Sequence, residues 1–197
     1  MTDLIENLKD AICANDFSFL EANKENYDIN LQLKNDDNDT LVSYAIADAG
    51  NETYEFFLKN NADLTILNDE GENIIHSIVY SGKDDRINKV LEINPDLDIN
   101  HKSKDGSTPI LLSVLLEKHE IFNHLIELGV DVNIPDNEGN APIHIACMFG
   151  YKEMVIKLVD KGANLSYKSP LGNFPLTLAV NGEHHEIVKY LFQKIYK

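Results

Sequence analysis

At 197 residues, with 43% hydrophobic content and a formal net charge of −16, the chain holds enough apolar material for a core. It is also too acidic to favour phosphate backbones or anionic membrane surfaces as partners. The charge is uneven: residues 1–99 carry 22 acidic and 7 basic side chains, whereas residues 100–197 carry 11 and 10.

Taken in order, residues 1–34 open with an apolar stripe at helical spacing, Leu4, Ile5, Leu8, Ala11 and Ile12, which predicts an amphipathic helix. Asn15-Asp16 predicts a turn, Phe17, Phe19 and Leu20 begin a second apolar face, and Tyr27-Asp28-Ile29-Asn30 ends the stretch. Residues 35–67 begin with the acidic run Asn35-Asp36-Asp37-Asn38-Asp39. In 68–102, Gly71 marks a turn, Gly82 separates two helices and Pro95 is expected to end the second of them. Residues 103–135 carry Gly106, Thr108, Pro109 and Gly129, with Glu117 where the neighbouring stretches place a mid-unit glycine.

Residues 136–168 show the pattern most fully. Asn137-Glu138-Gly139 is a turn, and Pro142 suits the first turn of a helix through Ile143, Ala146 and Cys147. Gly150 closes that helix, and Val155, Ile156, Leu158 and Val159 form the buried side of a second one that Gly162 stops. Residues 169–197 keep Gly172, Pro175 and Ala179, then run through Ile187, Val188, Leu191 and Phe192.

Aligning the turn residues Asn38, Gly71, Gly106, Gly139 and Gly172 gives intervals of 33, 35, 33 and 33 residues. A turn with two short helices has too little apolar surface to fold alone, so a period of this length predicts stacked copies. A hexapeptide recurs in register. It reads Ala141-Pro142-Ile143-His144-Ile145-Ala146, Thr108-Pro109-Ile110-Leu111-Leu112-Ser113, Phe174-Pro175-Leu176-Thr177-Leu178-Ala179, Asn73-Ile74-Ile75-His76-Ser77-Ile78 and Thr40-Leu41-Val42-Ser43-Tyr44-Ala45. A later signature recurs as Gly129-Val130-Asp131-Val132-Asn133, Gly162-Ala163-Asn164-Leu165 and Asn61-Ala62-Asp63-Leu64.

In these motifs and this period the chain resembles the ankyrin repeat family. The resemblance implies an all-α solenoid of stacked helix-turn-helix units with β-turn fingers. We expect a single domain of six units, 1–34, 35–67, 68–102, 103–135, 136–168 and 169–197, the first and last being caps. It further implies that His76 and His144 are structural, bonded to neighbouring turn backbone, and that Cys147 is a buried structural thiol.

Other chemistry is sparsely represented. His119 and His124 are five apart, about 140° around a regular helix, and cannot share a metal ion as histidines four apart do. Glu183-His184-His185-Glu186 reads as an exposed turn. No acidic turn has the ligand spacing of a calcium loop, and no phosphate loop, nucleophile elbow or Cys-x-x-Cys pair occurs. Cys13 and Cys147 lie about four repeats apart, so no disulfide is expected. We expect no enzyme activity, no cofactor and no metal. Met1 to Glu6 carries acid where a signal peptide needs a basic start, and no apolar run reaches membrane-span length, so a cytoplasmic monomer is expected. An enzyme or metal protein using His119, His124, His184 and His185 is the rival reading. A fragment that positions a distant domain, with Phe192, Ile195 and Tyr196 packing on a further unit, is another.

Family resemblance places partners against fingertips and exposed inner-helix positions. On the acidic side these are Asp36, Asp37, Asp39, Asp48, Asp69, Glu70, Glu72 and Asp105, and on the apolar side Tyr80, Leu115, Leu116, Met148 and Phe149. An apolar anchor beside an acidic wall predicts a scaffold that binds a protein partner through a basic segment.

Overall fold

The computed structural model describes residues 2–33, 39–48 and 50–196. Among the described residues the chain is all-α, with twelve α-helices, one 3-10 turn and no strand; a single isolated antiparallel bridge joins Gln32 to Thr40. Two compact units divide it at Asp98 and Ile99.

The first unit contains α1 (Thr2–Cys13), α2 (Phe17–Asn23), α3 (Leu41–Asp48), α4 (Asn51–Lys59), α5 (Ile74–Ser81) and α6 (Asp85–Ile93). Its helices form hairpin pairs, and the first helix of one pair packs on the first helix of the next, α1 on α3 and α3 on α5. The predicted stripe of α1 buries Leu8, Ala11 and Ile12 fully and leaves Leu4 and Ile5 half-buried. Removing side chains such as Leu8, Leu20, Leu41, Ile46 and Phe57 from water contributes about 1.5–3 kcal/mol each, which is what holds pairs too short to be stable alone. As expected, α6 stops just before Pro95.

The second unit repeats the arrangement with α7 (Pro109–Leu115), α8 (His119–Glu127), α9 (Pro142–Phe149), α10 (Lys152–Asp160), α11 (Pro175–Asn181) and α12 (His185–Ile195). Pro109, Pro142 and Pro175 occupy the first turns of α7, α9 and α11, where the missing N–H costs nothing. Each inner helix packs on the next, α7 on α9 and α9 on α11.

The recurring motifs have specific structural duties. At 68–71, 103–106, 136–139 and 169–172 the fourth residue, a glycine, donates its N–H to the carbonyl of the first at 2.8–3.1 Å. The Asp-x-Asn endings form a ladder between successive copies: Asp63 N donates to Asn30 Oδ1 at 2.7 Å, Asp131 N to Asn100 Oδ1 at 2.9 Å and Asn164 N to Asn133 Oδ1 at 2.8 Å. An asparagine side chain suits this place because its carbonyl accepts from the next copy while its backbone stays in its own turn.

Between the helices of a pair the chain passes through the left-handed region, which Gly82 and Gly150 enter with φ of 73° and 80°. Glu117 enters it with φ 54°, a conformation costing a non-glycine residue roughly 1–2 kcal/mol. Glu117→Gly should therefore raise the stability of the second unit by about 1 kcal/mol in urea titrations, since the side-chain contacts it gives up, to the exposed His119 at 3.7 Å and to Tyr151, are weak.

Candidate functional site

Three of the acidic positions of the first unit, Asp39, Glu70 and Glu72, line a cleft of about 320 Å³ together with Ala47, Asn68, Ser77 and Tyr80, whereas Asp69 is not in its lining. Asn68 organises it. At the first position of the 68–71 turn, its side-chain oxygen accepts from the N–H groups of Glu70 and Glu72 at 3.0 and 2.9 Å. Its amide nitrogen donates to Asp39 Oδ1 at 3.2 Å and to Glu72 Oε2 at 2.9 Å. The turn is thereby tied to two carboxylates that would otherwise repel each other, and Glu72 is held from its other side by the Tyr80 hydroxyl, which donates to Oε1 at 2.8 Å.

Tyr80 comes from the last turn of α5 and is 47% exposed, while Asp69 and Glu70 are exposed and Asp39 and Glu72 half-buried. Among the described residues no basic side chain lines the cleft. One ammonium stands near its margin: Lys83 Nζ donates to the carbonyl of Ala47 at 3.4 Å. Neither Asn68 nor Lys83 is among the residues singled out from sequence. Asn68 was discoverable, since Ser103, Asp136 and Ser169 at the matching turn positions also carry side-chain oxygens. Asp36 and Asp37 lie outside the described residues, as does the side chain of Asp48.

In the second unit, Leu115 and Leu116 end α7, and Met148 and Phe149 end α9, at matching positions of two helices that pack together. They are 39%, 39%, 42% and 49% exposed, so the stack does not bury them. Phe149 stacks on Tyr151 with ring centroids 5.7 Å apart. Asp105 is exposed, but its carboxylate already serves its own turn, accepting from Ser103 Oγ and from Ser107 N and Oγ at 2.9 and 3.0 Å. It thus contributes charge with its hydrogen-bonding capacity partly spent.

Three of the histidines have structural partners in the fold. His144, fully buried, donates from Nε2 to the Tyr167 carbonyl at 3.2 Å, with its ring edge-on to that tyrosine. His76 Nδ1 lies 2.8 Å from Asn73 Oδ1 and 3.3 Å from Asn73 N, tying the start of its own helix. His184 Nε2 lies 3.0 Å from the Met148 carbonyl. Among the described residues no group of three His, Cys, Asp or Glu side chains is placed to hold a metal ion. Burial pushes the Cys147 thiol up to about 12, so it carries no nucleophilic thiolate.

Burial also holds His144 below its ordinary value of 6.5. The unfolded chain then binds the proton more readily, so this contribution to stability is complete above about pH 6.5 and is lost as pH falls below it. Melting temperatures between about pH 7 and 5.5 should fall more steeply for the native chain than for His144→Asn.

The ankyrin repeats (3 copies) family model matches residues 78–169. No curated protein matches the chain.

Proposed function

We propose that this chain, a member of the ankyrin repeat family through residues 78–169, is a non-enzymatic recognition module whose acidic cleft holds a basic segment of a partner protein. Ankyrin repeats are in general protein–protein interaction modules and are typically non-enzymatic. The observation that carries the finer reading is the cleft's construction: Asp39, Glu70 and Glu72 gathered by one asparagine, with a half-exposed tyrosine ring at the edge and, among the described residues, no cation in the lining.

A lysine or arginine entering there meets the Asp39 and Glu72 carboxylates already held by hydrogen bonds, so little of their side-chain entropy is lost on binding. The face of Tyr80 offers the same cation a favourable contact. Taken by itself, the second unit offers Leu115, Leu116, Met148 and Phe149 as an exposed apolar cluster suited to apolar side chains. The charge of the first half steers the partner in, and the recognised segment is basic rather than nucleic acid or lipid because both of those are repelled.

Fluorescence anisotropy with labelled short peptides, basic, neutral and acidic, tests this reading. Basic peptides should bind, and affinity should fall at least tenfold between about 50 and 500 mM salt, as expected when Coulombic attraction is screened. Glu70→Gln with Glu72→Gln should produce a similar loss at low salt. Equal binding of neutral and basic peptides, or a salt-independent affinity, would overturn the assignment.

A further inference from the structure

One group in the lining of the cleft stands apart from the carboxylates. Ser77 of α5 is 8% exposed and is the one buried residue among those that line it. A serine inside a helix commonly turns its hydroxyl back to a carbonyl of the preceding turn. Ser81 and Ser113 do so, donating to the Ile78 and Ile110 carbonyls at 2.7 Å. Among the described residues no hydrogen bond engages the Ser77 hydroxyl, which is left to face the cleft; a buried polar group in that state calls for a partner. The side chain is also smaller than its counterparts. The fifth place of the recurring hexapeptide holds Tyr44, Leu112, Ile145 and Leu178 in the other copies, so serine at this place both opens room and puts a hydroxyl in it.

We propose that the cleft is selective for an unmodified lysine, whose ammonium enters end-on and donates to the Ser77 hydroxyl as well as to the carboxylates around it. This deepens the functional reading above and rests on it. An ammonium carries N–H donors that diverge, and the acceptors here come from separate elements. Ser77 projects from α5, Glu70 and Glu72 from the turn before it, and Asp39 from the segment before α3. A guanidinium pairs best as a planar fork with a carboxylate that has both oxygens open. Glu72 is not such a group, because Oε1 takes the Tyr80 hydroxyl and Oε2 the Asn68 amide. Asp39 Oδ1 is likewise taken by Asn68. A fork on Glu70 would form at an exposed position, where water weakens it. Trimethyllysine keeps the positive charge and can still lie against the Tyr80 ring, but it has no N–H to give Ser77.

Fluorescence anisotropy of the full chain with short peptides of one sequence, differing only in a central lysine, arginine, trimethyllysine or norleucine, tests the proposal. The lysine peptide should bind about tenfold more tightly than the trimethyllysine peptide of equal charge, with arginine between them and norleucine weakest. Ser77→Ala keeps the room and removes the hydroxyl. It should weaken the lysine peptide about tenfold and leave the trimethyllysine peptide unchanged, so that the preference disappears. Ser77→Leu, which restores the kind of residue the other copies carry and is verified as folded by circular dichroism, should weaken all the cationic peptides by filling the cleft. Trimethyllysine or arginine binding as tightly as lysine, or a lysine preference that survives Ser77→Ala, would overturn this inference while leaving the basic-segment reading in place. Cationic peptides that bind no better than norleucine would overturn both.

Discussion

Gly106→Ala is expected to destabilise the second unit by about 3 kcal/mol, a cost far above that of an ordinary surface change. Gly106 is buried and sits at φ 87°, where a methyl-bearing residue pays roughly 1–2 kcal/mol. Its missing side chain also makes room for the neighbouring finger. A Cβ there would stand 2.5 Å from both the backbone nitrogen and the side-chain oxygen of Asn137. That residue ties two copies together, its N–H donating to the Asp105 carbonyl at 2.9 Å and its side-chain amide to the Lys104 carbonyl at 2.7 Å. Backbone cannot swing aside as a side-chain tip can, so these bonds, at about 1 kcal/mol each, are put at risk together. Gly129→Ala is the control: with φ 79° and nothing within 4 Å of its Cβ position, it should cost only the conformational part. Equal losses for the two, by chemical denaturation, would mean that close approach of the fingers contributes nothing.

Arg86→Ala should cost the first unit about 4 kcal/mol. Arg86 projects from α6 and is 1% exposed. Its guanidinium donates to the carbonyls of Ile46 and Ala45 in the last turns of α3, groups that a helix end leaves without partners of their own. It also lies over the Tyr54 ring, 4.3 Å from the centroid. Beside that ring Lys89 pairs with Glu55 at 2.5 Å, and this contact holds the Glu55 carboxyl below its ordinary range. Alanine would open a cavity and strip the carbonyls of a charged donor. Arg86→Met separates these effects, because it refills much of the volume without the donors, and about 2 kcal/mol of loss is expected. A methionine variant as stable as the native chain would show that desolvating the guanidinium cancels what its contacts return.

Arg86 also marks where sequence reading stopped. The starts and stops of α7 to α12 were legible because glycine and proline each have a local duty that recurs with the pattern. Arg86 breaks the pattern: in an acidic half, an arginine in a helix reads as solvated, and only the fold brings the end of α3 and the Tyr54 ring to it. The exposure of Leu115, Leu116, Met148 and Phe149 was legible through the inner-helix positions that the family resemblance picks out. The cleft was half legible. Carboxylates at the turns were visible, but the bonds from Asn68 to Asp39 and Glu72 join residues 29 and 4 positions apart, and no local pattern encodes the first of these. Asp105 shows the converse, an acid counted with the wall whose oxygens largely serve its own turn.

The central claim is that the Asn68-organised cleft receives a basic segment. Amide chemical-shift mapping of the full chain during titration with a basic peptide tests it most directly. Saturable shifts should concentrate on Ala47, Asn68, Glu70, Glu72, Ser77 and Tyr80 and disappear in Glu70→Gln with Glu72→Gln. Shifts that leave these amides untouched while the peptide binds elsewhere would contradict it.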